Sequence, residues 1–268
     1  MLVAERHKKM TSLVNERGSS RVSELSRIFK VTEETIRRDL EKLETEGKLK
    51  RSHGGAVSLK SNDLESSYSE REIQNVQEKM AVAEAAVKYV SSNDRIILDA
   101  STTAWYMAKS LPDMPLTVVT NSMKVAAELV NREKITVISV GGTLVRKSLS
   151  YVGPQTTNAL ESYHVNKAFI SCQGIHSVRG ISDSNEMQAL VKKKMSEIAD
   201  EVYVLADYTK FGLQAFSRVA PLQAIDYIVT DSKTSENQIK EFQDYSVVVI
   251  RPYGLHDAKK QIIAKDNL

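Results

Sequence analysis

The chain has 268 residues, enough for one or two domains with a sizeable core. Its single cysteine, Cys172, excludes an internal disulfide framework, and no apolar run is long enough to span a membrane. The net charge of +3 is unevenly placed: residues 1–60 hold fourteen Lys and Arg against nine Asp and Glu, and the remainder holds 23 against 25. A basic head on a near-neutral body suits a polyanionic partner for the head alone. The lone thiol and the mostly polar residues 1–10, unlike a signal peptide, lead us to expect a cytoplasmic protein with no membrane partner.

In chain order, residues 5–17 read as a helix, with Met10, Leu13 and Val14 at helical spacing and Gly18 as its stop. Ser23 is then expected to cap a short helix carrying Leu25, Ile28 and Phe29. After a turn, Thr32 is a good N-cap for a longer helix, and Val31 and Ile36 have the spacing of a hydrophobic staple. Ile36, Leu40 and Leu43 recur at i, i+4, i+7 and form one stripe to bury. At roughly 100° per residue, Glu34, Thr35, Arg38 and Lys42 lie on the far side, with Arg37 on a flank and Gly47 as the stop. Taken alone, that face could be ordinary solvated surface.

What surrounds the helix changes the reading. Leu49, Arg51, His53, Gly54, Gly55 and Val57 read as a two-stranded wing turning at the glycine pair. Helix, short helix, turn, longer helix and basic hairpin make a winged helix-turn-helix over residues 1–58. The candidates for DNA contact are Thr35, Arg37, Arg38, Lys42, Arg51 and His53, the wing residues meeting phosphates. Residues 59–76 are polar and Ser-rich without apolar period, and read as a linker with Arg71 docked on a neighbour.

From 77 to 268 helix and strand alternate. Short β-branched strands are expected at 95–99, 116–120, 135–140, 167–171, 201–206, 227–230 and 246–250, so the second domain is α/β with a largely parallel sheet. Ligands of such sheets lie beyond the carboxyl ends of the strands. Asp99, Ser101, Thr102 and Thr103 end the first strand and open a helix, a ready anion site. Thr120 and Asn121 repeat the design, and Gly141 and Gly142 allow close backbone approach. Asp183, Asn185, Glu186 and Lys194, then Asp207 and Lys210, add carboxylates and amides for sugar hydroxyls and ammonium groups for phosphate. Ser, Thr and Asn at these places are equally the default helix caps, and the two roles are compatible. His164, His176 and His256 lack ligand-like spacing, so no metal and no cofactor is expected.

Several stretches carry a family resemblance. Thr35-Ile36-Arg37-Arg38-Asp39-Leu40, Leu43-Glu44, Gly47 and Arg51-Ser52-His53-Gly54-Gly55-Ala56 resemble the DNA-binding signature of the DeoR family of bacterial transcriptional regulators. The Asp99, Thr120, Gly141 and Asp207 loops resemble that family's sensor marks, with Ser101 and Thr209 standing where Gly and Ser are usual. The resemblance spans nearly the whole chain. It implies a winged helix-turn-helix followed by a sensor similar to ribose-phosphate isomerase and glucosamine-phosphate deaminase folds. It also implies double-stranded operator DNA and a sugar-phosphate effector as partners, in a dimer or tetramer. Leu98 to Ala108, Gly141 to Lys147 and Asp183 to Asn185 are similar to the family's fucose-operon subgroup. That implies a 6-deoxyketose 1-phosphate, fuculose- or rhamnulose-1-phosphate, as effector. The rival is a sugar-phosphate isomerase or deaminase using Asp99, Glu186 and Lys194 as acid and base, which leaves the basic head unexplained.

Overall fold

A computed structural model describes residues 3–17, 19–52, 54–57, 67–242 and 245–252. The chain divides into two compact units, Met1–Glu65 and Ser66–Leu268.

The first unit contains α1 (Val3–Arg17), β1 (Ser19–Arg21), α2 (Val22–Phe29), α3 (Glu33–Thr45), β2 (Lys50–Ser52) and β3 (Gly55–Val57). Met10, Val14, Val22, Leu25, Ile36, Leu40, Leu43, Leu49 and Ala56 close one core between them. Thr32 caps α3 by accepting the Thr35 N–H. The helix ends in a Schellman motif: with Gly47 at φ +64°, the Gly47 and Lys48 N–H groups return to the Glu44 and Leu43 carbonyls, both at 2.9 Å.

Two local expectations change here. Ser23 is not the cap of α2: Arg21 occupies that position without a side-chain bond, because β1 runs straight into the helix. The Val22 N–H is taken instead by the Gly54 carbonyl at 2.9 Å. The wing also has a third strand, since β1 pairs antiparallel with β3 in the order β1-β3-β2. His53 lies outside the described residues.

The second unit opens with α4 (Tyr68–Glu72) and α5 (Val76–Val87). It continues through β4 (Arg95–Leu98), α6 (Thr102–Ser110), β5 (Leu116–Thr120), α7 (Met123–Leu129) and β6 (Ile135–Ser139). A hairpin of β7 (Thr143–Val145) and β8 (Ser150–Val152) leads to α8 (Pro154–Glu161) and β9 (Val165–Ser171). Then come β10 (Gly174–His176), β11 (Gly180–Asp183), α9 (Glu186–Glu197), β12 (Ala199–Leu205), β13 (Ser217–Ala220), β14 (Tyr227–Val229), α10 (Glu236–Lys240) and β15 (Val248–Ile250).

Seven of these strands form one parallel sheet in the order β15-β14-β12-β9-β4-β5-β6. Alternation along each strand feeds two cores. Ile97, Val119, Ala168, Ile170 and Val204 face the layer of α8 and α9, where Leu160, Ala189 and Met195 meet them. Ile96, Leu98, Val118, Phe169 and Leu205 face α5, α6 and α7 through Val82, Ala104, Met107 and Val125. Strand order runs outward in both directions from the β4/β9 pair, so the switch point of the sheet lies between them.

Short elements were not legible in advance, among them the β7–β8 hairpin and an antiparallel sheet of order β10-β11-β13. Within the stretch expected as linker, α4 is a helix with a capping box between Ser67 and Glu70 and with Tyr68 buried. One buried ring and one cap hold it, which leaves no apolar period to read.

Candidate functional site

Helix α3 buries Ile36, Leu40 and Leu43 and exposes Arg37, Arg38 and Lys42. Arg37 is held by Glu33 at 2.9 Å and Arg38 by Glu34 at 3.7 Å, with the Arg38 side chain 78% exposed. Exposed pairs of this kind contribute little and exchange readily for a stronger anion. Thr35 is half-buried, its hydroxyl 2.9 Å from that of Thr32. On β2, the Arg51 N–H donates to Glu44 at 2.7 Å, tying the wing to α3, and its guanidinium lies 3.8 Å from Glu41.

The buried underside of α3 carries a residue the periodicity does not single out. Asp39 accepts from Arg6 Nε at 2.6 Å and Nη2 at 3.1 Å, and lies 2.9 Å from His7 Nε2. Burial pushes its carboxyl up, yet the Arg6 and His7 hydrogen bonds outweigh that and hold it below the usual carboxylate range. These bonds lock α1 against α3 and so set the angle at which Arg37 and Arg38 are presented.

In the second unit the switch point gathers the chemistry. Asp99 follows β4; its Oδ1 accepts the Ser101 N–H at 3.0 Å and its Oδ2 the Ser171 N–H at 2.9 Å across the β4/β9 junction. Lys192 of α9 is buried against it. Its Nζ reaches Asp183 Oδ2 at 2.6 Å, the Ser171 carbonyl at 2.8 Å and Asp99 Oδ2 at 3.4 Å. Burial pushes the Asp183 carboxyl up, but the charge and hydrogen bond of Lys192 win, and the net shift is downward. Burial likewise opposes the Lys192 charge, while Asp183 and Asp99 more than restore it.

Beyond β12, Asp207 accepts the Thr209 N–H at 2.9 Å and Lys210 Nζ lies 3.4 Å from Gln173 Oε1. Between these groups, burial pushes the Cys172 thiol up to about 12, although Lys192 and Lys210 oppose it, so the thiol is inert.

The helix caps behave as caps. Ser101 Oγ accepts the Ala104 N–H at 3.0 Å, Ser122 Oγ the Val125 N–H at 3.2 Å, and Asn185 Oδ1 the Gln188 N–H at 3.2 Å. Thr102 and Thr103 are buried in the first turn of α6, and Thr120 accepts the Ser122 N–H at 3.0 Å. Asn121 donates Nδ2 to the Tyr151 carbonyl at 2.8 Å. Gly141 and Gly142 follow the edge strand β6, two strands from β4. A Cβ on Gly142 would meet Thr156 Oγ1 at 2.1 Å, so packing alone demands glycine there.

Two candidates lie elsewhere. Lys194 pairs outward with Glu161 at 2.9 Å and Glu197 at 3.0 Å, because two residues turn a helix by roughly 200° from Lys192. Glu186 is exposed in the first turn of α9. Asp99, Glu186 and Lys194 therefore do not assemble as an acid–base set. Lys192 was the residue to find, and one signal marked it: it stands three positions from both Ala189 and Met195, in the buried stripe of α9.

The comparisons with known proteins follow this division. The DeoR-like helix-turn-helix domain matches residues 6–62, and the DeoR C terminal sensor domain matches residues 74–232. The chain belongs to the DeoR family of transcriptional regulators. An uncharacterized HTH-type transcriptional regulator of Bacillus subtilis strain 168, YulB, is 59% identical over 249 residues, covering 93% of this chain and 96% of its own. The L-fucose operon activator of Haemophilus influenzae is 38% identical over 237 residues, 88% of this chain and 95% of its own. Ribose 5-phosphate isomerase A of Methanocaldococcus jannaschii overlaps 51% of this DeoR-family chain and 55% of its own, with a TM-score of 0.39 and 19% identity. Both family domains and the two matched regulators, of Bacillus subtilis and Haemophilus influenzae, mark a DNA-binding regulator rather than an enzyme.

Proposed function

We propose that this DeoR-family regulator controls a carbohydrate-catabolism operon by binding double-stranded operator DNA and releasing or rearranging on it when a sugar phosphate binds. Thr35, Arg37, Arg38 and Lys42 of α3 enter the major groove, and Arg51 of the wing meets a phosphate. The observation that carries the sensing half is the set of carboxylates and ammonium groups at the β4/β9 switch point: Asp99, Asp183 and Lys192, with Asp207 and Lys210 beside them. Carboxylates accept hydroxyl protons and an ammonium attracts phosphate, so a phosphorylated polyol matches the mixture.

The effector we propose is a 6-deoxyketose 1-phosphate, fuculose- or rhamnulose-1-phosphate. Its support is the similarity to proteins named as L-fucose operon activators. We further propose a cytoplasmic homo-oligomer with two-fold symmetry, for which an inverted-repeat operator follows. Sensing then requires that the effector bind one arrangement of the oligomer better than another.

The test is fluorescence anisotropy on DNA flanking the chain's own gene, with L-fuculose 1-phosphate, L-rhamnulose 1-phosphate or neither. A binding curve that weakens steeply with salt and shifts with one sugar phosphate supports the proposal. DNA binding indifferent to both sugar phosphates would remove the proposed effector and leave the operator.

A further inference from the structure

Helix α4 carries a buried group that none of the roles above uses. Tyr68 is 2% exposed, and its hydroxyl has no hydrogen-bond partner among the described residues. Its backbone N–H is fixed on the Lys147 carbonyl at 2.7 Å, and its ring lies 5.9 Å from the Arg71 guanidinium and 5.5 Å from the Lys124 ammonium. A phenylalanine would pack there as well. A buried hydroxyl without a partner is costly, so its presence points to a partner that arrives from outside.

A second orphan lies beside the same hairpin. Asn121 is 1% exposed, and its Oδ1 lacks a partner among the described residues while its Nδ2 is spent on the Tyr151 carbonyl. Lys147 and Tyr151, in or next to the β7–β8 hairpin, therefore pin one orphan each. A hydroxyl group satisfies either kind of orphan, since Asn121 Oδ1 needs a donor and Tyr68 Oη takes either sense.

Arg71, one turn along α4, holds its guanidinium 5.9 Å from the Tyr68 ring centroid, and its charge is among those that favour the ionised Asp183. Its backbone carbonyl accepts from the buried Lys79 Nζ, which also donates to the Gln74 carbonyl at 2.7 Å. Lys79 is thus a positioning residue for the α4–α5 corner. Lys192 is matched by two carboxylates, Asp183 and Asp99, so its charge is already balanced within the protein.

We propose that Tyr68 and Arg71 of α4 bind the effector directly, Tyr68 Oη taking a sugar hydroxyl and Arg71 the phosphate. The proposal rests on the sugar-phosphate reading above and deepens it. The guanidinium fork suits a phosphate in two parallel hydrogen bonds, where an ammonium offers only a point charge. In sequence α4 begins three residues after Glu65, where the DNA-binding unit ends, so the ligand acts on the first helix of the sensor unit.

The experiment is isothermal titration calorimetry on the full chain with L-fuculose 1-phosphate, L-rhamnulose 1-phosphate and inorganic phosphate, using wild type, Tyr68→Phe, Arg71→Lys and Arg71→Gln. Tyr68→Phe is expected to weaken the bound sugar phosphate about tenfold, or about 1.4 kcal/mol. It should leave inorganic phosphate unchanged and melt no lower than wild type. Arg71→Gln should weaken both ligands, with Arg71→Lys recovering part of the loss. Wild-type affinity in Tyr68→Phe and Arg71→Gln would overturn the proposal while the effector reading stands. A Tyr68→Phe protein that melts lower and loses both ligands alike would make Tyr68 a structural residue and overturn its part. A wild-type chain that binds neither sugar phosphate would bring down the effector reading and this proposal together.

Discussion

Replacing Lys192 by Met tests the switch point most directly, because the stem is kept and only the charge is lost. Lys192 Nζ serves Asp183 at 2.6 Å, the Ser171 carbonyl at 2.8 Å and Asp99 at 3.4 Å. Its removal leaves two buried carboxylates near each other and an unpaired carbonyl. Breaking a buried pair from one side costs roughly 3–5 kcal/mol. For a unit of this size that is a fall of roughly 10 °C in the melting temperature.

The pH dependence carries a sign of its own. In the wild type the depressed Asp183 carboxyl contributes stability above its ordinary value of 3.8, and that contribution is lost as the pH falls through the folded value. In the Met variant the largest opposition to burial at Asp183 is gone, and its carboxyl rises. Its ionisation then favours folding less, and the deficit shrinks as the pH falls from about 8 to about 5. Urea denaturation followed by Trp105 fluorescence at both pH values reads this out. A loss under about 1 kcal/mol, equal at the two pH values, would show that Lys192 does not hold these carboxylates.

Other expectations follow from single contacts. Arg38→Ala should leave thermal stability nearly unchanged, since Arg38 makes only a 3.7 Å exposed pair, yet cost roughly 1–3 kcal/mol of operator binding in anisotropy titrations. Retained operator affinity would take Arg38 out of the recognition set. In Gly55→Ala a Cβ would sit 2.3 Å from the Ser20 carbonyl, forcing β1 and β3 apart at roughly 1–3 kcal/mol. Hydrogen exchange over residues 19–57 should then rise while that of the sensor sheet holds, and unaltered exchange would refute the close approach. Lys210→Ala should weaken sugar-phosphate binding by roughly 1.5–3 kcal/mol in calorimetry, the scale of a charge-assisted hydrogen bond. An unchanged affinity would return Lys210 to the solvated surface.

Local patterns carried the elements in which one signal dominates. Ile36, Leu40 and Leu43 marked α3 by period, Thr32 marked its start and Gly47 its end. The run Leu116–Thr120 was readable to the residue as β5 because β-branched residues fill it. Asp99, Asp183, Asp207 and Lys210 stand at or just after strand ends, as their place in the sequence led us to expect; whether they touch an effector belongs to the proposal. The rival reading's acid–base set does not assemble and Lys194 turns outward, because helical phase, not proximity in sequence, decides which lysine of the run 192–194 turns inward.

What tertiary structure alone decided are the partnerships between distant residues. Lys192 finds Asp99 only when β4 and β9 lie side by side, and Asp39 becomes a buried carboxylate only when Arg6 and His7 of α1 arrive beside α3. Tyr68 reads as one aromatic residue in a polar stretch, and nothing local shows that the Lys147 carbonyl will draw it into the interior. Sequence determines the period, caps and turn residues because those energies act within a turn of the chain. The burial of a charge or a hydroxyl depends on which elements pack around it, and only the folded chain sets that.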